Sequence, residues 1–200
     1  MKLTTGMRLA QYGFTAIALS AFGYCALEWS SEWLYQTSEA RRFDHELGIK
    51  SPPALPDPLP RAAWFPAAGG LVGRLEIPRI GVSVMVVEGT GGQELARAAG
   101  HIRGTSLPGE PGNVGIAAHR DTFFRPLAGI HTGDVITMAT LQGTYRYRVS
   151  ATQVVMPEDV SVLSWTERDS LTLITCYPFH YAGAAPRRFI VRAVRLPAAG

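Results

Sequence analysis

From Leu71 onward the chain is divided into short runs of Val, Ile, Thr, Tyr and Leu by Gly, Pro, Asp and Asn, and this punctuation limits its fold more than any other feature. Runs of β-branched and aromatic residues bounded by turn formers are the pattern of strands joined by tight connections. The candidate strands are Leu71–Ile77, Val82–Val87, Val114–Ala118, Val135–Leu141, Tyr145–Val149, Ala151–Met156, Leu171–Thr175 and Phe189–Val194, while Glu94–Ala99 reads as a brief helix. So many strands with so little helix imply an all-β domain over residues 71–197. A closed or nearly closed β-barrel is the economical form, because closure removes exposed strand edges. No internal repeat is evident.

The first 70 residues have a different texture. No charged residue occurs from Leu9 to Leu27, a stretch long enough at about 1.5 Å per residue to cross a hydrocarbon core of about 30 Å. Residues 9–27 are therefore expected to form a transmembrane helix. Lys2 and Arg8 precede it and Glu28 and Glu32 follow. The positive-inside tendency then leaves residues 1–8 in the cytoplasm and the rest outside, as a single-pass protein of the cell membrane. A cleaved signal peptide is the rival reading, with Ala21-Phe22-Gly23 as the cleavage region. Residues 28–70 divide into a juxtamembrane helix carrying Trp29, Trp33, Leu34, Phe43 and Leu47, and a proline-rich spacer from Ser51 to Gly70.

The net charge of +3 does not point to nucleic acid, because the basic residues are scattered among Asp and Glu rather than gathered in runs. There are two cysteines, and the expected membrane segment separates Cys25 from Cys176. Cys176 is thus an unpaired thiol in a compartment that normally favours disulfides.

Cys176 ends the β-rich run Leu171-Thr172-Leu173-Ile174-Thr175, which Pro178 then interrupts. A thiol at a strand end is held by a rigid element yet open to substrate, although a lone cysteine is more often simply buried. Two other features bear on that choice. His119 follows the run Val114-Gly115-Ile116-Ala117-Ala118, and Arg187-Arg188 stand just before the last strand. An imidazole can favour the thiolate and later protonate a departing amine, and a guanidinium can donate to an oxyanion. Neighbouring strand residues face opposite sides, so only one of Arg187 and Arg188 should reach the site. Asp121 and Thr175 are supporting candidates, as an orienter of His119 and as a hydroxyl that steadies the thiol or a substrate carbonyl. The alternative reading for each is a turn-capping Asp and a β-favouring Thr. His101, His131 and His180 lack ligand spacing, and Glu158-Asp159 is too small an acidic group for calcium, so no metal or cofactor is expected.

The run Thr172-Leu173-Ile174-Thr175-Cys176 resembles the TLxTC signature of sortases, and Arg188-Phe189-Ile190-Val191 resembles the Arg-led last strand of that family. Leu75-Glu76-Ile77-Pro78, Gly100-His101-Ile102, Gly112 through Asp121 and Gly133-Asp134 fall in the family's order, so the resemblance covers roughly residues 71–195. It is nearest to the housekeeping-like class D or E members. It implies an eight-stranded sortase-type barrel and a cysteine transpeptidase acting on polypeptides with an LPxTG-like C-terminal sorting signal. The acyl group passes through a thioester to an amine acceptor at the cell envelope. It further implies Cys176 as nucleophile, His119 as acid and base, and Arg188 rather than Arg187 as the oxyanion or substrate-positioning residue. Ala118 stands where members often have Gly. A peptidoglycan L,D-transpeptidase is disfavoured by the absence of a Ser-His-Gly run before the thiol. A plain cysteine protease and a non-catalytic, membrane-tethered binding barrel remain open alternatives.

Overall fold

The computed structural model describes residues 2–49, 66–181 and 183–197. It opens with helix α1 (Lys2–Ile49). Strands β1 (Leu71–Ile77) and β2 (Val82–Glu88) follow, then the one-turn helix α2 (Gly92–Leu95), β3 (Ala99–His101), β4 (Asn113–Ala117), β5 (Val135–Thr140), β6 (Gly143–Val155), β7 (Ser170–Tyr177) and β8 (Arg187–Arg195). The eight strands close into a barrel in the order β1-β2-β3-β4-β7-β8-β6-β5. Two of its pairings, β2 with β3 and β4 with β7, are parallel, and the rest are antiparallel. Alternation along each strand sends one set of side chains inward. Leu75, Ile77, Val84, Ile116, Ile136, Met138, Leu171, Leu173 and Val191 fill the interior with almost no exposure, each burial contributing about 1.5–3 kcal/mol.

The expected strands are present, but two differences offset each other in their number. The runs Tyr145–Val149 and Ala151–Met156 form the single strand β6. Ser150 between them marks a register shift against β8, not a turn. A bulge adds a residue without ending the strand, so its signature resembles a break. Conversely, β3 was not foreseen, and the helix expected over Glu94–Ala99 stops at Leu95. Ala99-Gly100-His101 has no β-branched residue, and tertiary closeness explains its composition. A Cβ on Gly100 would lie 2.2 Å from the carbonyl oxygen of Gly89.

At the N-terminus the helix expected at 9–27 and the juxtamembrane helix are one continuous element. Among the described residues no helix is long and apolar enough to cross a membrane. Length is not the limit, because α1 has 48 residues. Gln11, Thr15 and Ser20 dilute the apolar run, and the hydroxyls of Thr15 and Ser20 turn back to the carbonyls of Gln11 and Ala16. The spacer expected over 51–70 falls outside the described residues as far as residue 65, as do the side chains of Cys25, Trp29, Trp33 and Leu47.

The later part of α1 docks on the barrel. Phe43 is fully buried beneath the guanidinium of Arg74, which also pairs with Asp44 at 2.9 Å. Gln36 accepts the Met85 N–H at 2.9 Å and donates to the Arg97 carbonyl. Pairing between β2 and β3 begins only at Val86, so this amide bridges the gap just before it.

A partly buried ion pair fixes the entry to β5. Arg79 binds both carboxylate oxygens of Asp134, which also accepts the His131 N–H. The hydrogen bond from Arg79 holds the Asp134 carboxyl below the ordinary carboxylate range, against the opposing effect of burial. A depressed carboxylate pKa stabilises the fold above the unfolded value of about 3.9 and is lost as pH falls through the folded one. Asp134→Asn should therefore lower the denaturant midpoint at pH 7, with a deficit that shrinks as pH falls below about 4. A deficit constant with pH, followed by circular dichroism, would contradict this role for the pair.

Candidate active site

Leu171, Leu173 and Thr175 face the core, so Thr172, Ile174 and Cys176 lie on the outer face of β7. On β8 the residue opposite Cys176 is Arg188, and Arg187 stands opposite Tyr177. Directly opposed residues point to the same side of a sheet with Cβ atoms about 4.5–5.5 Å apart. Arg188 therefore shares the thiol's face and Arg187 does not. On the other flank, β4 runs parallel to β7 with Ala117 beside Ile174, and the pairing continues as Ala118 N–H donates to the Ile174 carbonyl at 3.2 Å. The ladder ends there, two residues before His119 on one chain and two before Cys176 on the other. His119 is exposed and Cys176 is half-buried.

Thr175 is buried and donates to the Ala118 carbonyl at 2.8 Å. Its hydroxyl ties the end of β7 to the residue before His119, a different task from steadying the thiol or a substrate carbonyl. Asp121 is exposed on the turn after His119 and makes no side-chain hydrogen bond to it. Arg188 is partly buried and donates to the carbonyls of Ala185 (3.2 Å) and Arg187 (3.0 Å).

The half of this outer face remote from Cys176 is covered. Val160–Leu163 forms a 3-10 turn in the β6–β7 connection, and Asn113 donates to the carbonyls of Val162 (3.1 Å) and Ser164 (3.3 Å). Thr172 donates to Asn113, and Arg192 donates to Val162. Gly115 permits the close approach, since a Cβ there would lie 2.8 Å from a methyl of Leu163. What remains open is the strip of Ala117, His119, Ile174, Cys176 and Arg188. An apolar floor ending in a thiol, an imidazole and a guanidinium suits an extended peptide whose carbonyl is to be attacked.

The remaining polar candidates have structural tasks or stand apart. His101 is buried between the Glu88 carboxylate (2.6 Å) and the Ser106 carbonyl (3.0 Å). Asp159 caps the 3-10 turn through the N–H and hydroxyl of Ser161. His131 and His180 are exposed. Among the described residues no group of three or more His, Cys, Asp or Glu is placed to hold a metal ion. Arg120 was overlooked in the sequence. Its guanidinium donates to the carbonyls of Pro178 (3.0 Å), Tyr181 (2.8 Å) and Gly183 (3.0 Å), in the segment between β7 and β8. Its place directly after His119 was the available signal.

A guanidinium on the thiol's own face can donate to the oxygen of a carbonyl attacked there, and one on the opposite face cannot. Arg188→Gln should lower kcat/KM for peptide cleavage by Cys176 about 100-fold, and Arg187→Gln by less than about threefold. Equal losses in both would contradict the pairing of Cys176 with Arg188.

Comparison with known proteins gives the family. A family model described as the sortase domain matches residues 75–196. The chain is 35% identical over 137 residues to sortase D of Bacillus subtilis (strain 168), covering 68% of this chain and 69% of that protein. It resembles the crystal structure of sortase C-1 from Actinomyces oris with a TM-score of 0.60 and 34% identity, over 64% of this chain and 74% of the other. It also resembles sortase A from Corynebacterium diphtheriae with a TM-score of 0.62 and 32% identity, over 66% and 64% of the two chains. A barrel with the order β4-β7-β8 at its open face, matched by the family model over nearly its whole length, places the chain in the sortase family of cysteine transpeptidases.

Proposed function

We propose that this chain cleaves an LPxTG-like sorting signal with Cys176 and passes the acyl group to an amine acceptor outside the cytoplasm. The observation that supports the reading is Arg188 standing opposite Cys176 on β8, with β4 paired to β7 as far as Ile174 and ending two residues before His119. In the first half-reaction the Cys176 thiolate attacks the carbonyl carbon of the scissile bond, and the carbonyl becomes an oxyanion that Arg188 stabilises. The intermediate collapses, the C–N bond breaks, and His119 gives its proton to the departing amine. A thioester remains on Cys176. In the second half-reaction His119 takes a proton from the incoming amine, the new C–N bond forms, and the C–S bond breaks to restore the thiolate. Water in place of the amine gives hydrolysis.

The first part of α1 is the membrane anchor in this reading, with the catalytic barrel outside the cytoplasm. Support comes from the charge-free run Leu9–Leu27. Phe14, Ile17, Leu19 and Phe22 on it are exposed to 68–76%, an apolar surface of the kind that marks a membrane or partner contact. The internally bonded hydroxyls of Thr15 and Ser20 meet the demand that polar groups in lipid be satisfied within the segment.

The test uses the full chain recovered from the membrane fraction, an LPxTG-type peptide, and mass spectrometry with and without triglycine. The expected result is a thioester on Cys176 and a triglycine-dependent amide product, with both lost in Cys176→Ala. Cleaved acid alone, unchanged by triglycine, would make the protein a protease. A folded chain giving neither adduct nor cleavage across a varied peptide library would favour a binding module. Recovery of the chain in the soluble fraction would remove the anchor but leave the chemistry.

A further inference from the structure

Arg120 joins three parts of the site that are distant in sequence. It follows His119 at the end of β4, and its guanidinium reaches the carbonyls of Pro178, Tyr181 and Gly183 just after Cys176. The same group lies over the Tyr181 ring, 5.7 Å from its centre. It has no carboxylate partner among the described residues, so it serves these carbonyls alone. At the far end of the same connection, Arg188 donates to the carbonyls of Ala185 and Arg187. The short segment between β7 and β8 is thus held between two guanidinium groups, one rooted beside His119 and the other opposite Cys176.

Backbone carbonyls at the open rim of a barrel would ordinarily be satisfied by water. A planar five-donor group that takes three of them fixes the path of the chain, which a lysine with one point charge does less completely. Because one of the two carbonyls that hold Arg188, that of Ala185, belongs to this segment, a change in its path shifts that guanidinium relative to Cys176.

We infer that Arg120 is a positioning residue: it clamps the β7–β8 connection so that Arg188 stays aligned with Cys176 and His119 during acyl transfer. The inference rests on the roles proposed above for those three residues. Arg120 itself need not touch the substrate.

Two measurements on the full chain separate the clamp from the chemistry. Chymotrypsin cleavage after Phe179 and Tyr181 should rise at least about tenfold in Arg120→Gln while the rest of the barrel stays resistant. In the same variant kcat for transfer to triglycine should fall about 10–100-fold with KM for the sorting peptide changed less than about threefold, the pattern of misplaced rather than missing contacts. Arg120→Lys, which keeps the charge and part of the bonding, should lie between wild type and Arg120→Gln in both measurements and covers the case in which the Gln variant folds poorly. Combined with Arg188→Lys, the Arg120→Gln loss should be less than additive, because both act on one guanidinium position. Unchanged proteolysis overturns the clamp whether or not the chain is an active transferase. Faster proteolysis with wild-type kcat, or strictly additive losses, overturns the link from Arg120 to Arg188. A wild-type chain with no transfer activity removes the proposed function instead, and proteolysis then still decides the clamp.

Discussion

The parallel pairing of β4 with β7 is the contact on which the rest of the site depends. These strands are separated in sequence by β5 and β6, and nothing local joins the segment before His119 to the segment before Cys176. The ladder from Asn113–Ser170 to Ala117–Ile174 does so, and it is extended by the Ala118 N–H and locked by the buried hydroxyl of Thr175. A one-residue slip would turn Cys176 into the core and bring Thr175 out, because side chains alternate with a period of two. Leu171 and Leu173 pack inward without exposure, which sets a large hydrophobic cost against that slip. The packed interior therefore also determines which face carries the thiol.

The outer face is divided between a covered half and an open half. Asn113 is the hub of the covered half, drawing the β6–β7 connection onto the sheet, and Gly115 makes the room for it. The open half carries the reactive groups. Arg120 and Arg188 stand beside it without carboxylate partners among the described residues, each donating to backbone carbonyls. At the side of the barrel Phe43 and Gln36 dock α1, so the helix that exposes apolar residues near its start is joined to the catalytic barrel by direct contacts.

Much of this was legible in the sequence because it rests on local pattern. Leu71–Ile77 matches β1 at both ends, and Thr172–Cys176 together with Arg188–Val191 marked the strands that bear the thiol and the guanidinium. The alternation rule separated Arg187 from Arg188 before any partner was known. What the sequence hid depends on distant atoms. β3 consists of small residues whose fitness lies in the closeness of Gly89 to Gly100, and the bulge at Ser150 imitates a turn. Thr175 looked like a β-former with a spare hydroxyl, but its partner comes from β4. Arg120 stands within the run Gly112 through Asp121 with nothing local to mark its task, and only the return of the chain after Cys176 reveals its three acceptors. The apolar run of residues 9–27 looked like a free-standing span, yet it is continuous with a helix that reaches the barrel.

Whether Cys176 works between His119 and Arg188 is tested most directly by a crystal structure of the full chain with an LPxT-type peptide ketone bound to the Cys176 Sγ. The expected result is the His119 ring within about 4 Å of the sulfur or the leaving-group position, with the Arg188 guanidinium within about 3.2 Å of a substrate carbonyl oxygen. A trapped complex in which Arg187 occupies that place, or in which His119 faces away from the bound peptide, would contradict it.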